Sequence, residues 1–289
     1  FSNTELSGGG LFAAFSTDAG ATWTYVDPSD GVIGDGDVGD PLPIACCDPT
    51  AAWDEFGNLF ISYLDRTNFT SPVALSTDGG QTFTVIAVLG SDTDQPTIVS
   101  GPNTGGTGSV WVMYKEFGLV NDELVAQGVL VTGLGTVGSF SPIQLIPAST
   151  FANFGDIAVG DVSQVLSVCQ DNFNFANPQG PNDIFVSLDA DGLGAGTFPS
   201  STLVTSTNVG TFDAHAVQPE RTVDAETGLA YDRSGGTNTG RVHLVYTDEI
   251  PQESDDADVV ARFSDDDGAT WSSPIQVNDD TTTNTQFLP

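Results

Sequence analysis

The chain has 289 residues and carries 39 acidic side chains against six basic ones, a formal net charge of -33 at neutral pH. So few cations (Arg66, Lys115, Arg221, Arg233, Arg241 and Arg262) exclude recognition of a phosphate backbone, which depends on basic groups displacing counterions, so neither nucleic acid nor an anionic membrane is an expected partner. With 39% hydrophobic and 9% aromatic residues the chain can still bury a core, and no apolar run reaches the roughly 20 residues of a membrane span. The first residues, Phe1-Ser-Asn-Thr-Glu, lack the charged and apolar regions of a signal sequence, as expected of a mature or trimmed segment.

Near the N-terminus, the alternating stretch Leu11-Phe-Ala-Ala-Phe15 runs into Ser16-Thr-Asp18-Ala-Gly20-Ala-Thr22-Trp23. The same pattern, S-x-D-x-G-x-T-[WF], returns at Ser76-Thr-Asp78-Gly-Gly80-Gln-Thr82-Phe83 and at Ser264-Asp-Asp266-Asp-Gly268-Ala-Thr270-Trp271. The first two copies lie 60 residues apart and the last two 188, about three such intervals, so two worn copies are expected between them. Residues 132–140, with Gly133, Gly135 and Phe140, supply one, and residues 187–198, with Asp189 and Phe198, supply the other. Each unit reads as a strand-turn-strand hairpin. Asp18, Asp78, Asp189 and Asp266 accept bonds from turn N–H groups, Gly supplies positive φ, and the terminal aromatic packs in the core. These aspartates are expected to be structural.

A second element recurs upstream of the hairpins: Asn58 to Asp65, Ser109 to Glu116, Gln164 to Asp171 and Arg241 to Asp248, apolar strands that end in a carboxylate. Tyr63, Tyr114 and Tyr246 share one position in these strands, and Cys169 falls where the others have Tyr, which marks a core site. A shorter inner strand precedes each: Asp48 to Asp54, Gln95 to Val99, Asp156 to Val159 and Gln218 to Val223. Four antiparallel strands repeating every 50 to 77 residues describe an all-β fold, a β-propeller built from four-stranded blades.

The S-x-D-x-G-x-T-W segments are similar to the Asp box, or BNR repeat, of the sialidase-like β-propellers, and the blades cover essentially the whole chain. The resemblance implies the fold far more strongly than any one activity. Four blades are complete, at 48–90, 95–147, 154–207 and 218–280. Residues 10–28 supply only a third and fourth strand, and Gln286-Phe-Leu-Pro289 resembles the start of a new inner strand. Joining both ends in one composite blade gives five blades in a single domain, 1–289; a fragment of a six-bladed protein is the alternative. The thin composite blade would leave edge strands through which copies could associate.

In propellers of this kind, the loops leading into the inner strands surround one mouth of the channel, where ligands bind. Here those positions are Asp48, Asp94, Gln95, Asp156, Glu220, Arg221 and Gln286. Asp48, Asp94, Gln95 and Arg221 are the ligand-binding candidates, and Asp48, Asp156, Glu220, Arg221 and His215 the catalytic ones. A ring of carboxylates suits cations or polyols, and hard oxygen ligands suit Ca²⁺. Asp35, Asp37 and Asp40 alternate as in part of a calcium loop, without its later Glu. Cys46 and Cys47 are adjacent and Cys169 is alone; an adjacent-pair disulfide, a Cys47 to Cys169 bridge and three thiols are all compatible with the sequence.

The sialidase resemblance implies three convergent arginines, a Tyr nucleophile paired with Glu, and an Asp acid/base. Only Arg221 falls at an inner-strand start, the Arg-Ile-Pro signature is absent, and the tyrosines read as core, so sialidase activity is disfavoured. The expectation is a secreted or cell-surface, non-catalytic propeller serving as a binding or structural module, for glycan or protein and with Ca²⁺ as a ligand; the alternative is a glycoside hydrolase or lyase using the carboxylates of the mouth.

Overall fold

The computed structural model describes residues 2–3, 9–27, 30–152, 155–171, 179–217, 219–252, 254–279 and 282–287. Strands and loops make up nearly all of it, and the helical content among the described residues is a single 3-10 turn at Thr104–Gly106. Two compact units are present: Phe1–Val120 with Val125–Ile143, and Asn121–Leu124 with Gln144–Pro289.

The first unit begins with short strands. β1 (Ser2–Asn3), β2 (Leu11–Phe12) and β5 (Val32–Ile33) form one ladder, and β3 (Ala14–Phe15) pairs with β4 (Thr24–Tyr25) in a hairpin. Two meanders follow. The first is β6 (Ala45–Trp53), β7 (Leu59–Asp65), β8 (Ser71–Ser76) and β9 (Thr84–Leu89); the second is β10 (Thr93–Asn103), β11 (Thr107–Glu116), β12 (Glu123–Gly133) and β13 (Thr136–Val137).

The second unit contains β14 (Gln144–Leu145), then the meander β15 (Gly155–Val159), β16 (Val165–Gln170), β17 (Asn182–Asp189) and β18 (Ser201–Thr207). A two-residue ladder, β19 (Asp213–Ala214) with β20 (Thr222–Val223), precedes the last meander: β21 (Gly228–Tyr231), β22 (Val242–Glu249), β23 (Ala257–Ser264) and β24 (Ile275–Gln276). The architecture is therefore all-β, with four blade-like antiparallel sheets among the described residues.

The second strand is buried on both faces in three of the sheets, which is why it reads as a continuous apolar run: every residue of β7 and of β16 is buried, as is all of β11 after its first residue, whereas His243 of β22 is exposed. Leu59, Val165 and Val242 occupy one register position, each facing the last residue of the third strand, Ser76, Asp189 and Ser264. Four residues further on, Tyr63, Cys169 and Tyr246 are at most 1% exposed, as is Tyr114 in β11. Each such side chain contributes about 1.5–3 kcal/mol through burial. The carboxylates that end these strands clamp the turns beside them. Asp65 accepts from the Thr67 N–H at 2.8 Å, Glu116 from the Ser91 N–H at 3.0 Å, Asp171 from the Asp183 N–H at 3.0 Å and Asp248 from the Asn208 N–H at 2.9 Å.

The hairpin aspartates act as expected. In the turn after β23, Ser264 Oγ donates to Asp266 Oδ1 at 2.8 Å and accepts from the Gly268 N–H at 2.9 Å. Asp266 in turn accepts from the Thr270 N–H and hydroxyl at 2.8 and 2.7 Å. The same four bonds recur around Asp18 and around Asp78. The threonine hydroxyls hold the Asp18 and Asp78 carboxyls down to about 2. Both residues at the tip are left-handed, with φ of 58° and 88° at Ala19-Gly20 and 54° and 87° at Asp267-Gly268.

Three expectations need correction. Trp23 does not pack in the core: it is 62% exposed, whereas Phe83 is 6% exposed. Asp189 fills the serine position rather than the aspartate one, because it ends β17 and accepts from the Asp191 and Gly192 N–H groups; Asp191 takes the aspartate role, accepting from Ala195 and Gly196. Burial of Asp189 pushes its carboxyl up to about 6. Finally, the inner strand of the last sheet is β21, not residues 218–223; Gln218 lies outside the described residues. The worn turn at 132–140 lacks an aspartate and is tied by Asn58, which accepts from the Gly135 N–H at 2.7 Å and donates to the Gly133 carbonyl at 3.1 Å. The Gln286 N–H donates to the Ala257 carbonyl of β23 at 2.7 Å, and Leu288 and Pro289 lie outside the described residues.

Ser264→Ala would strip a buried glycine N–H of its acceptor, a loss of about 1–3 kcal/mol. Ser16→Ala, in a water-exposed turn, should cost less in urea unfolding; equal losses would mean that the serine bond does not set the turn.

Candidate functional site

The inner strand is an edge of its sheet, and its outward N–H and C=O groups need partners. In the first unit Thr50 Oγ1 accepts from the Ile98 N–H at 3.3 Å, and the Ser100 hydroxyl donates to the Trp53 carbonyl, joining β6 to β10. In the second unit Asp156 Oδ2 accepts from the Leu229 N–H at 2.8 Å, joining β15 to β21. Register makes Thr50 and Asp156 equivalent. Thr50 faces Ser62, three residues past Leu59, and Asp156 faces Val168, three past Val165. Asp156 is thus the counterpart of Thr50 rather than of Asp48, and its carboxylate is committed to a neighbouring backbone. Thr97 and Gly228 hold the same position in β10 and β21.

Two residues earlier the backbone is left-handed at a non-glycine residue in three sheets: φ is 54° at Asp48, 46° at Gln95 and 43° at Glu226. The counterpart ahead of Asp156 lies outside the described residues. Such a conformation costs about 1–3 kcal/mol and gathers at ligand-binding and catalytic sites. Three polar residues in this state at equivalent heads of inner strands mark that end of each sheet as the candidate site.

Bulges go with it. β10 takes three residue steps from Asp94 to Thr97 while β11 takes two, from Lys115 to Met113. β6 takes five from Ala45 to Thr50 against three in β7, so it carries the bulge of β10 plus one more, at Cys46. Cys46 and Cys47 form a disulfide, and Cys169 is a buried thiol that burial pushes up to about 12. The adjacent-pair alternative is the one the structure adopts.

Asp48 and Asp94 are half-buried. Burial raises the Asp94 carboxyl above the usual carboxylate range, outweighing the bond from the Gln95 N–H at 3.0 Å and the Lys115 charge, both of which lower it. Lys115 faces Asp94 across the ladder and rests 5.2 Å from the Phe117 ring centre. In the second unit, Asp224 stands two residues before Glu226 and is 4% exposed. Burial, reinforced by the Glu226 charge, pushes its carboxyl up to about 8.

The other sequence candidates fall elsewhere. Glu220 and Arg221 are exposed, just before or beside the short β20, because β21 begins later than expected. His215 is 3% exposed, with neither ring nitrogen hydrogen-bonded and Nδ1 3.8 Å from Asp255 Oδ1. Asp40 caps its own loop, accepting from the Asp35 and Leu42 N–H groups at 3.2 and 2.9 Å. The carboxylates that come together are instead Asp30, Asp35 and Asp37, with oxygens within 4.8 Å, a set of the kind a hard cation could bridge. The Asp35 charge raises Asp37.

Two of the arginines, Arg241 and Arg262, are held by partners within the second unit. Arg241 pairs with Asp265 at 2.7 Å and lies over Phe263, while Arg262 donates to Tyr246 Oη at 3.1 Å and to the Ser272 carbonyl at 2.7 Å. Tyr63 and Tyr114 donate to the Pro43 carbonyl and Gln127 Oε1 at 2.9 and 2.6 Å, and burial pushes both phenols up, which suits core groups rather than nucleophiles.

No protein-family model matches the sequence, and no curated protein matches it. Solved structures do. The α-L-arabinanase of Penicillium chrysogenum, complexed with arabinobiose, aligns with a TM-score of 0.52 at 12% identity over 93% of this chain and 73% of its own. The α-L-arabinofuranosidase Arb93A of Fusarium graminearum, in complex with an iminosugar inhibitor, aligns with a TM-score of 0.52 at 13% identity over the same shares. The fold is a β-propeller similar to those of these two structures.

Sequence reasoning passes over Asp224 and Glu226. Counting back from the second strand fails because Tyr231 and Val242 pair across a long Gly-rich hairpin, whereas Trp53 and Leu59 pair across a short one. The short apolar run Gly228-Leu-Ala-Tyr231 before that hairpin was the available signal.

Asp156→Thr should fold with little loss, since Thr50 and Thr97 fill that place. Asp156→Ala leaves the Leu229 N–H without its acceptor and should cost about 1–3 kcal/mol in chemical unfolding; a neutral alanine variant would refute the assigned role. Asp224 carries its own pH signature. A folded-state value of about 8 lies above the ordinary one near 4, so its stability contribution, full in acid, is lost as pH rises through 8. Asp224→Asn should flatten that decline in Tm between pH 5 and 8.

Proposed function

We propose that the protein is a glycoside hydrolase acting on neutral glycans, with Asp94 as proton donor and Asp48 as the second carboxylate. The observation that carries this reading is the repeated bulge that brings Asp48 and Asp94 to the same end of two neighbouring inner strands. Both are half-buried, and burial raises the Asp94 carboxyl above its ordinary value. A donor of that kind beside an ionised carboxylate is what cleavage through an oxocarbenium-like transition state requires. Gln95, whose amide can both donate and accept, suits sugar hydroxyls. The similar arabinanase and arabinofuranosidase make arabinose-containing oligosaccharides the first substrates to try. A chain of net charge -33 repels acidic polysaccharides, which favours neutral ones.

On this reading the β3–β4 hairpin, whose turn has the Asp-box bonding around Asp18, is the third and fourth strand of a fifth blade, and the family is that of the Asp-box propellers. A second reading, a glycan-binding module without catalysis, rests on the same polar strand heads and differs only in turnover.

Assay against neutral arabino- and galacto-oligosaccharides should give turnover that falls at least about 100-fold in Asp94→Asn and in Asp48→Asn, with folding intact. Gln95→Ala should raise KM more than it lowers kcat. Because Asp94 works protonated and its carboxyl is raised, the alkaline limb of the rate profile should lie above the ordinary carboxylate range and vanish in Asp94→Asn. Binding without turnover in the unaltered protein would favour the module.

A further inference from the structure

We infer that the Cys46–Cys47 disulfide is a thiol–disulfide exchange site whose redox state sets the backbone geometry at Asp48. The inference rests on the proposed function only for its consequence on catalysis; the lock itself is a property of β6.

The two bulges separate the roles. Asp94 to Thr97 and Cys47 to Thr50 are the same three-step bulge, each with a left-handed polar residue followed by proline. β10 makes this bulge without a disulfide, so a disulfide is not needed to form it. What β6 has in addition is Cys46, the residue in excess between the pairs Ala45↔Asp65 and Cys47↔Leu64. The disulfide closes across that residue and the next, immediately before the strained Asp48. It therefore fixes the added bulge, and through it the direction in which the chain enters Asp48.

A cross-link between adjacent residues closes only an eight-membered ring, and the stabilisation expected of a disulfide grows with loop length. Its contribution to the global fold should accordingly be small and its effect local. The flanks are anchored independently: the Gly10 N–H donates to the Ala45 carbonyl, and the Arg66 N–H to the Ile44 carbonyl, both at 2.8 Å. Thr50 is held to β10. Reduction thus frees a short stretch between two fixed points.

Both cysteines are half-buried, so a small dithiol can reach them. The remaining cysteine cannot interfere, because Cys169 is 1% exposed and its thiol is raised to about 12, leaving almost no thiolate to attack the pair. The exchange is balanced: a dithiol thiolate attacks one sulfur, the S–S bond breaks, and its second thiol resolves the mixed disulfide. Cys46 and Cys47 gain two electrons and two protons while the reductant becomes a disulfide.

Treatment of the native protein with dithiothreitol, with thiols counted before and after, tests this directly. Amides of residues 46–48 should exchange hydrogen at least about tenfold faster once the pair is reduced, while those of β7 and of the anchors Ala45 and Thr50 stay unchanged. Reoxidation should reverse the change. The double variant Cys46→Ser with Cys47→Ser should behave as the reduced protein and no longer respond, whereas Cys169→Ala should still respond. A native disulfide that resists dithiothreitol, full reduction with unchanged exchange, or loosening spread over the whole sheet would each overturn the inference. Arabino-oligosaccharide turnover is read in parallel and should fall at least about tenfold on reduction. If exchange responds but neither redox state turns over any glycan, the lock stands and the hydrolase reading is the one that fails.

Discussion

An inner strand in this fold has hydrogen-bonding groups on an open edge, and the way those groups are satisfied governs the rest. Thr50 Oγ1 receives Ile98 N–H in one unit, and Asp156 Oδ2 receives Leu229 N–H in the other, at one register position. An unpaired buried N–H costs about 1–3 kcal/mol, so the acceptor at this place is under strong physical constraint. Threonine and aspartate both meet it, since each puts an oxygen one or two bonds from Cβ. The strand start two residues upstream is therefore pinned on its inner side. Any extra length has to be taken up before it, and the bulges and left-handed residues at Asp48 and Gln95 are where that happens.

This ordering explains why polar side chains collect at the strand heads. A left-handed residue in a bulge leaves the pleat, so its side chain is not obliged to alternate into the packed faces of the sheet. Aspartate is among the residues that tolerate that region best among non-glycines, and proline after it disfavours helical continuation. Asp48-Pro49-Thr50 and Gln95-Pro96-Thr97 combine strained polar residue, stiff spacer and anchoring hydroxyl. The chemistry available there follows from the anchor beneath it rather than from a dedicated loop.

Much of this was legible in the sequence. The second strands could be read because burial on both faces makes them continuously apolar, and the hairpins because their bonds need Ser, Asp, Gly and Thr at fixed spacing. Cys169 was readable as a core residue from its place among Tyr63, Tyr114 and Tyr246. Register was not readable. Asp156 looked like Asp48 because both open an apolar inner strand, yet a bulge in β6 and none in β15 shifts them by two positions. Glu226 was hidden by a long hairpin, and Asp189 by one extra turn of loop that moved the aspartate role to Asp191. Insertions that leave hydrophobic periodicity intact are invisible to pattern reading, and side-chain roles in this fold depend on them.

The large acidic excess resolves into populations that differ in environment, not in residue type. Hairpin carboxylates are solvent-exposed and saturated with donors, which holds Asp18 and Asp78 at about 2 and keeps them charged and inert at any ordinary pH. Carboxylates near the strand heads are desolvated with fewer donors, and Asp94 and Asp224 are raised, the latter to about 8. In the second population burial favours the acid form, the reverse of what the saturated hairpin carboxylates experience. These two raised acids differ in exposure: Asp224 is 4% exposed, whereas Asp94 is half-buried. Burial raises both carboxyls, but of the two only Asp94 keeps a solvent-accessible side.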